Sequence, residues 1–466
     1  MNLRQRLYTQ PAHQIALVYE DEQVTYSALC TRIETIAAYL AARGVTPHMH
    51  VALIMHNDRL FIESLYAIWT LGAVAVPINP AYTAAERDYI LQDGDIAFAI
   101  TNQAVDIPHV DAQQLHEIQP TTYVAIAVEA HDTALILYTS GTTGKPKGAM
   151  LSHGNLYSNA RDVATFFLYE ASDKMLVVLP MFHVFALTVA VNAPLFAGAT
   201  LIIHQAFSPA KALADLERYD MTLFAGVPLM YNYMLQIARD ADLSSLRLAI
   251  SGGSPLPRAI HTLFFEQFHV SISEGYGLSE AAPVTCFNPP GREKVGTVGT
   301  AIPNVKLAII DEGFNLLAHG RVGELVVKGP NVMNGYYKNP LATHNVFANG
   351  YLRTGDLAIM DQDGYVTIID RKKDMILVGG YNVYPKEVEE VLYTYAGIQE
   401  AAVVGKKNEA MDEEVVAYVV AEKPIDEALL KAYCAEKLAR YKCPRRIIQR
   451  DELPKNSTGK ILKYKL

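Results

Sequence analysis

Cysteine is scarce in this chain and scattered. The four in 466 residues, Cys30, Cys286, Cys434 and Cys443, form neither a CxxC pair nor a metal-ligand spacing. That excludes a disulfide framework and a thiolate metal centre, and it fits reduced thiols in the cytoplasm. Positive charge is not in excess either. Forty lysines and arginines against forty-nine aspartates and glutamates leave a formal net charge of −9, so bulk nucleic-acid binding, which needs a positive footprint for the phosphate backbone, is excluded. The amino terminus, MNLRQRLYTQPAHQ, lacks the apolar core of a signal peptide, and nothing marks the chain for export. One uncharged run, the twenty residues Val184 to Ile203, reaches the length of a membrane span. Asn192, Pro194 and Gly198 interrupt it, so it is expected to be a buried helix and strand rather than a span.

Core, by contrast, is plentiful. Half of the residues are hydrophobic and 19% are charged, a globular composition, and the length exceeds what one hydrophobic core usually organises. A large multilayered domain with a smaller one beside it is expected. The charge is uneven: residues 371–466 carry 18 basic and 15 acidic side chains, net +3, against −12 for residues 1–370, and from Lys437 onward there are ten basic and two acidic. A basic tail beside an acidic body suits a small anionic ligand rather than a polymer.

Residues Thr133 to His153 read TALILYTSGTTGKPKGAMLSH. The apolar run Ala134 to Tyr138 is a buried strand that delivers a loop of small, donor-rich residues. Gly141, Gly144 and Gly148 allow close backbone approach, Thr139, Ser140, Thr142 and Thr143 offer hydroxyls, and Lys145 and Lys147 add positive charge. This is chemistry for a polyphosphate, and a nucleoside triphosphate is the expectation. The ordinary phosphate loop, GxxxxGK[ST], is not met: Thr139 stands where its first glycine belongs and Pro146 where its Ser or Thr belongs.

Between Lys174 and Tyr276 the runs KMLVVLP, ATLIIHQ, MTLFAGVP, LRLAISGG and VSISEGYG read as short strands. They alternate with amphipathic stretches such as PAKALADLERY, capped by Ser208 with Pro209 at its first turn, and PRAIHTLFFEQF. That alternation predicts a parallel, doubly wound α/β sheet. Each strand ends in a polar or glycine-rich motif, PMFH at 180–183, SGGSP at 251–255 and EGYGLSE at 274–280, and ligands of such sheets lie beyond the carboxyl ends of the strands. From about Val295 to Asp370 the texture changes to short strands with Gly-rich and Asp-Gly turns, which reads as a compact β subdomain. The charged junction Asp370-Arg371-Lys372-Lys373-Asp374 then leads to an α+β unit with a helix at PKEVEEVLYTY, which divides the chain into 1–370 and 371–466.

In this order, YTSGTTGKPKG, the pair Phe182-His183, YGLSE, GELVVKGP, YLRTGDLA, DRKKDMILVGGYNVYP and PKNSTGK resemble the adenylate-forming acyl-CoA synthetases, a superfamily that also holds firefly luciferase and nonribosomal adenylation domains. The likeness runs from about Leu17 to the end. KGAMLSHGNLYSNA, EGYGLSEAAPVTCFNP and VKGPNVMNGYY look most like bacterial long-chain fatty-acid CoA ligases. The resemblance implies an amino-terminal domain of stacked parallel sheets with a small β-barrel subdomain, and a smaller, mobile α+β carboxyl-terminal lid. It also implies two half-reactions, with ATP, Mg²⁺ and coenzyme A as cosubstrates: formation of acyl-adenylate with loss of pyrophosphate, then transfer to the thiol.

Carried over position by position, Thr139 to Lys147 hold the β- and γ-phosphates, Glu280 with Thr139 serves the metal, and Ser279, where most members have Thr, reaches the α-phosphate. Gly252, Gly253 and Ser254 with Glu274, Gly275, Tyr276 and Gly277 flank the adenine. Asp356 accepts from the ribose hydroxyls, Arg371 contacts ribose or phosphate, and Lys460 is the adenylation lysine. Lys147, His183, Ser279 and Glu280 complete the catalytic set. Lys373 matches the hinge, and Gly379 and Gly380 line the pantetheine path after the lid turns. His183, Val227 and Pro228 line the acyl pocket, while the gate tryptophan of some long-chain relatives is missing at Phe185, Ala186 and Leu187. A medium- to long-chain fatty acid is the expected substrate. An aryl or other acid, a carrier-protein acceptor and, more remotely, luciferase-like oxygenation remain open, as do a homodimer and peripheral membrane contact. The segment Thr101 to Asp132 is short beside relatives.

Overall fold

The computed structural model describes residues 1–139, 145–237, 241–408, 412–455 and 460–466. The strands expected between Lys174 and Tyr276 are Lys174–Val177, Thr200–Ile203, Leu223–Gly226, Leu248–Ser251 and Ile272–Gly277. With Ile15–Tyr19 they form six consecutive parallel strands. Antiparallel Glu22–Thr25 closes one edge, and Val284–Phe287 with Thr300–Ala301 closes the other, giving nine strands among the described residues. The run Val184 to Ile203 is buried: π-helical hydrogen bonding over Ala186–Asn192 passes into a helix, Ala193–Ala197, and then the strand Thr200–Ile203. Ser208 caps its helix as the sequence indicates, accepting from Lys211 N–H ahead of Pro209–Arg218. No helix of the described residues is long and apolar enough to cross a membrane.

A second sheet of seven strands runs Gly335–Tyr336, Lys147–Ser152, Thr133–Thr139, Val74–Pro77, His50–Ile54, Phe98–Thr101 and His109–Val110. The helix Arg59–Thr70 belongs to the layer that packs with this sheet. Every residue from Leu60 to Thr70 is buried, as expected of a helix that is apolar nearly all round and covered on every side. Trp69 Nε1 donates to Ala134 O at 2.9 Å, tying this helix to the strand that leads into the phosphate loop. Buried Glu63 is neutralised by Arg32 at 3.2 Å and Arg59 at 3.5 Å, the pairing a charge in such a layer requires.

The region Val295 to Asp370 contains an antiparallel sheet of Lys306–Ile310, Gly323–Lys328, Tyr351–Met360, Phe347–Ala348 and Val366–Arg371. Its long strand Tyr351–Met360 is shared, pairing Phe347–Ala348 in its first half and Val366–Arg371 in its second. Bulges at Glu324/Val326 and Leu357/Ala358 bend it. Beyond Arg371, a mixed sheet of Tyr381–Val383, Ile376–Val378, Asp412–Ala421, Ile398–Asn408 and Arg446–Gln449 carries the helices Pro385–Tyr393 and Glu427–Lys437. It has a core of its own, built on Ile376, Val388, Leu392, Val403, Val419 and Leu430.

Candidate active site

The parallel ladder aligns Gly226 with Ser251 and Ser251 with Glu274. The residues that follow, Val227 and Pro228, Gly252 to Ser254, and the last three residues of the strand Ile272–Gly277, therefore run on in step and form one rim at the carboxyl ends. Close packing fixes the residue types there. A Cβ on Gly275 would overlap the ring of Phe287, and one on Gly252 would come to 3.0 Å from Phe185 Cζ. Val227 is buried and Pro228 begins the helix Pro228–Ile237. Glu274 does structural work on this rim: its Oε1 accepts from Leu256 N–H at 2.9 Å, holding the segment that follows Ser254. Burial pushes its carboxyl up to about 7, against the pull of the Leu256 N–H and the charge of Lys386.

Across the rim, Asp356 and Arg371 are ladder partners on adjacent strands, with Arg371 Nε 3.6 Å from Asp356 Oδ1. The other carboxylate oxygen, Oδ2, accepts from the Tyr276 hydroxyl. Tyr276 is thus more than a flat face. Asp356 is 7% exposed, and burial raises its pKa against the opposing influence of Arg371 and the Tyr276 hydrogen bond. Lys460 lies within electrostatic reach of the same group. Burial, then the positive charge of Arg371, pushes its ammonium down to about 8, while Asp356 and Asp374 act the other way and Lys373 adds to the repulsion. His183 is half-buried beside the turn His183 N–H to Pro180 O, 3.0 Å. Burial, with the nearby Lys460 charge, pushes it down to about 4, so it is a neutral imidazole at pH 7.

The third side is the base of the phosphate loop. Thr139 and Lys147 are antiparallel partners, so the loop leaves one strand and returns as the next. Thr139 Oγ1 is 3.5 Å from Lys147 O. Lys147 Nζ lies 5.4 Å from the centre of the Tyr336 ring, and the Tyr336 hydroxyl donates to Glu280 Oε1 at 2.7 Å. Glu280 and Ser279 sit on a short 3-10 turn, Ser279–Ala281, with one residue between it and Gly277, so this carboxylate joins the rim, through Tyr336, to the lysine of the loop. Lys145 Nζ lies 5.5 Å from the centre of the Tyr89 ring. Ser140, Gly141, Thr142, Thr143 and Gly144 lie outside the described residues.

Among the described residues no group of three or more His, Cys, Asp or Glu could hold a metal ion. Glu280 therefore offers one hard anionic ligand, which fits a Mg²⁺ that takes most of its oxygens from phosphate and water. Gly379 and Gly380 form an exposed hairpin turn between Ile376–Val378 and Tyr381–Val383, with φ of +55° and +83°. They are not placed against the groups above. Lys373 is exposed, in the turn closed by Asp374 N–H to Arg371 O at 3.0 Å.

Two site residues lie in motifs quoted above that assign them no role. Tyr336 sits in GYY, a pair without periodicity or spacing of its own, and its link to Glu280 spans 56 positions. Asp370 looks like one more charge in a basic junction. In the structure it is 7% exposed, and Oδ1 accepts from Arg371 N–H at 2.7 Å and Oδ2 from Lys386 N–H at 2.9 Å, tying the strand to the first turn of Pro385–Tyr393.

Residues 3–337 match the family model for AMP-binding enzymes and residues 387–460 that for the AMP-binding enzyme C-terminal domain. A feruloyl-CoA synthase of Amycolatopsis is 36% identical over 466 residues, covering 97% of this chain and 95% of the relative. A long-chain-fatty-acid–CoA ligase of Salmonella typhimurium is 34% identical over 519 residues, covering 98% and 92%. The solved o-succinylbenzoate coenzyme A synthetase of Bacillus subtilis in complex with ATP and magnesium superposes with a TM-score of 0.91 at 31% identity, over 100% of this chain and 98% of that one.

Proposed function

The chain belongs to the AMP-binding enzymes, and on that premise we propose that it is an AMP-forming acid–CoA ligase acting on a medium- to long-chain fatty acid. The fatty acid rests on the likeness to the long-chain-fatty-acid–CoA ligase, and the observation that carries the adenylation chemistry is the pairing of two lysine-centred poles. Lys460 is held in the neighbourhood of Asp356, Arg371 and His183, while Lys147, Tyr336 and Glu280 form the other pole at the phosphate loop.

In the first step the substrate carboxylate oxygen attacks the α-phosphorus of ATP, and the bond to the bridging oxygen breaks, releasing pyrophosphate. Lys460 stabilises the negative charge that grows on the α-phosphate, and Lys147 and Lys145 face the leaving pyrophosphate. Asp356, braced by Tyr276 and Arg371, receives the ribose, and the rim of Gly252 to Ser254 and Gly275 to Gly277 takes the adenine. Glu280, with Thr139 beside it, would hold a Mg²⁺ ion, which would supply positive charge against the phosphates. In the second step the coenzyme A thiolate attacks the acyl carbon and AMP departs.

Gly379 and Gly380 face solvent in the arrangement described above, so for them to line a thiol path residues 371–466 must turn, about Lys373, between the two steps. The neutral His183 imidazole then borders the acyl carbon, with Val227 and Pro228 behind it.

A second reading, an aryl acid, is favoured by the Phe185 ring, which is 8% exposed and lies against Gly252. A flat aromatic substrate needs less depth than an alkyl chain. The test is pyrophosphate release over acids from acetate to oleate, with ferulate and o-succinylbenzoate, with and without coenzyme A. Release with a fatty acid and thioester formation only with coenzyme A supports the first reading. A preference for ferulate replaces it with the second. No release with any acid, or oxygen uptake and light with one of them, removes both.

A further inference from the structure

The phosphate loop has two shoulders, Tyr138-Thr139 where the chain leaves the sheet and Pro146-Lys147 where it returns. Both are tied to one carboxylate outside the loop. Asp93 is the last residue of the helix Ala84–Asp93. Its Oδ2 accepts from the Tyr138 hydroxyl at 2.7 Å, and its Oδ1 lies 3.4 Å from the Tyr89 hydroxyl of the same helix. That hydroxyl is also 3.2 Å from the carbonyl oxygen of Pro146. The Tyr89 ring is the one that faces the Lys145 ammonium at 5.5 Å. Tyr138 is closely surrounded: a Cβ on Gly94 would stand 3.1 Å from its hydroxyl oxygen, and one on Gly148 3.2 Å from its Cζ.

We infer that Asp93, Tyr138 and Tyr89 form a clamp that positions the phosphate loop for the nucleotide, with Tyr138 fixing the outgoing shoulder and Tyr89 the returning one together with Lys145. The inference rests on the reading that this loop holds the phosphates of ATP. A hairpin loop that leaves and re-enters through single strands has no helix behind it to hold its shape. Asp93 accepts fully from the Tyr138 phenol, and the single Tyr89 proton is shared between Asp93 and the Pro146 carbonyl, which together supply that stiffness. The Tyr89 ring face adds a site where the Lys145 ammonium is held near the loop, so less side-chain freedom is lost when it turns to phosphate. None of the three touches substrate; they are positioning residues, and their loss shows in nucleotide affinity rather than in recognition of the acid.

The test uses the full-length enzyme with its best acid and measures KM for ATP, KM for the acid and kcat by pyrophosphate release. Tyr138→Phe and Asp93→Asn each remove a charge-assisted hydrogen bond of the clamp, and KM for ATP is expected to rise about tenfold, with KM for the acid changed less than twofold. Tyr89→Phe keeps the ring under Lys145 and loses only the two hydroxyl contacts, so its rise is about threefold; Tyr89→Ala, which also removes the ring, exceeds it. Thermal denaturation of each variant separates this from a general loss of structure: a lower melting temperature with unchanged KM for ATP overturns the clamp. So does an equal rise in both KM values. Tyr89 is only half-buried, so if the other variants do not fold, Tyr89→Phe against Tyr89→Ala decides alone. Wild-type enzyme that releases no pyrophosphate refutes the activity itself, and the two failures are told apart by that control.

Discussion

In the proposed reaction Lys147 and Lys460 carry charge to the two ends of one triphosphate, and the protein holds them in opposite ways. Lys147 is the first residue of a strand, registered against Thr139 in a seven-stranded sheet, and a tyrosine ring lies beside its ammonium. Its position follows from the ladder. Lys460 belongs to the C-terminal unit, next to the isolated bridge Lys455–Ile461. Burial and two like charges, Arg371 and Lys373, work against its ammonium, with Asp356 and Asp374 in opposition. One cation is built into the scaffold and the other is held by a balance. On the proposed assignment, the charge aimed at the leaving group is permanent, whereas the charge aimed at the reacting phosphorus depends on where residues 371–466 sit.

The sharpest way to break this comparison is Lys460→Ala. Adenylation is expected to fall by a factor of about 10² to 10³, while thioester formation from supplied acyl-adenylate and coenzyme A stays within a few-fold of wild type. Equal losses in both half-reactions would mean that Lys460 is as fixed as Lys147.

The next effect is on pH. Lys460 acts as the ammonium, which is present below its pKa of about 8 and lost above it. The value of kcat/KM for adenylation therefore falls about tenfold per unit on the alkaline side. Lys460→Arg, charged at every accessible pH, abolishes that limb at lower absolute activity; a limb that persists in the arginine variant belongs to another group.

On the scaffold side, Tyr336→Phe leaves the ring beside Lys147 and deletes the hydroxyl bond to Glu280. KM for ATP and the Mg²⁺ requirement are expected to rise about threefold to tenfold together. A change in kcat for the thioester step instead would detach Glu280 from the loop.

The smallest effect concerns stability. Glu274 carries a carboxyl raised from 4.5 to about 7, so the folded protein binds a proton that the unfolded chain releases, and stability falls as pH rises from 4.5 to 7. Glu274→Gln removes this slope while its amide oxygen can still accept from Leu256 N–H. Equilibrium unfolding of both proteins across that range checks it, and parallel curves would contradict the raised value. Lys386 and Glu390 of the C-terminal unit are among the charges Glu274 feels, so the slope also registers docking of that unit.

The parallel sheet was legible because each strand is a short apolar run that stops at a glycine or polar motif, and Ser208 with Pro209 marks a helix start by a local rule. The rim was legible for the same reason, since residues that end neighbouring parallel strands converge. Tyr276 donating to Asp356, Tyr336 donating to Glu280 and Asp370 tying Arg371 to Lys386 were not. Each joins positions far apart in sequence or far apart in chemistry, and a tyrosine hydroxyl has no pattern until the fold says what lies across from it. The two aspartates differ instructively: Asp356 was identifiable from the motif around it, whereas Asp370 stood in a cluster of charges that reads as solvated surface and is in fact buried.

The loop proposed to take the phosphates returns to the sheet as a strand, Lys147–Ser152, and the helix His153–Phe166 begins only after it. A phosphate loop that opens a helix adds the aligned peptide dipoles of that helix to its side chains. Here Lys145 and Lys147, neither of them buried, supply the cationic side chains at the returning shoulder. Charges open to solvent are screened within about 8–10 Å at ordinary ionic strength. The proposed grip on pyrophosphate is consequently a quantity that dissolved salt can tune, and potassium chloride should weaken nucleotide capture most through Lys145, the exposed one of the two.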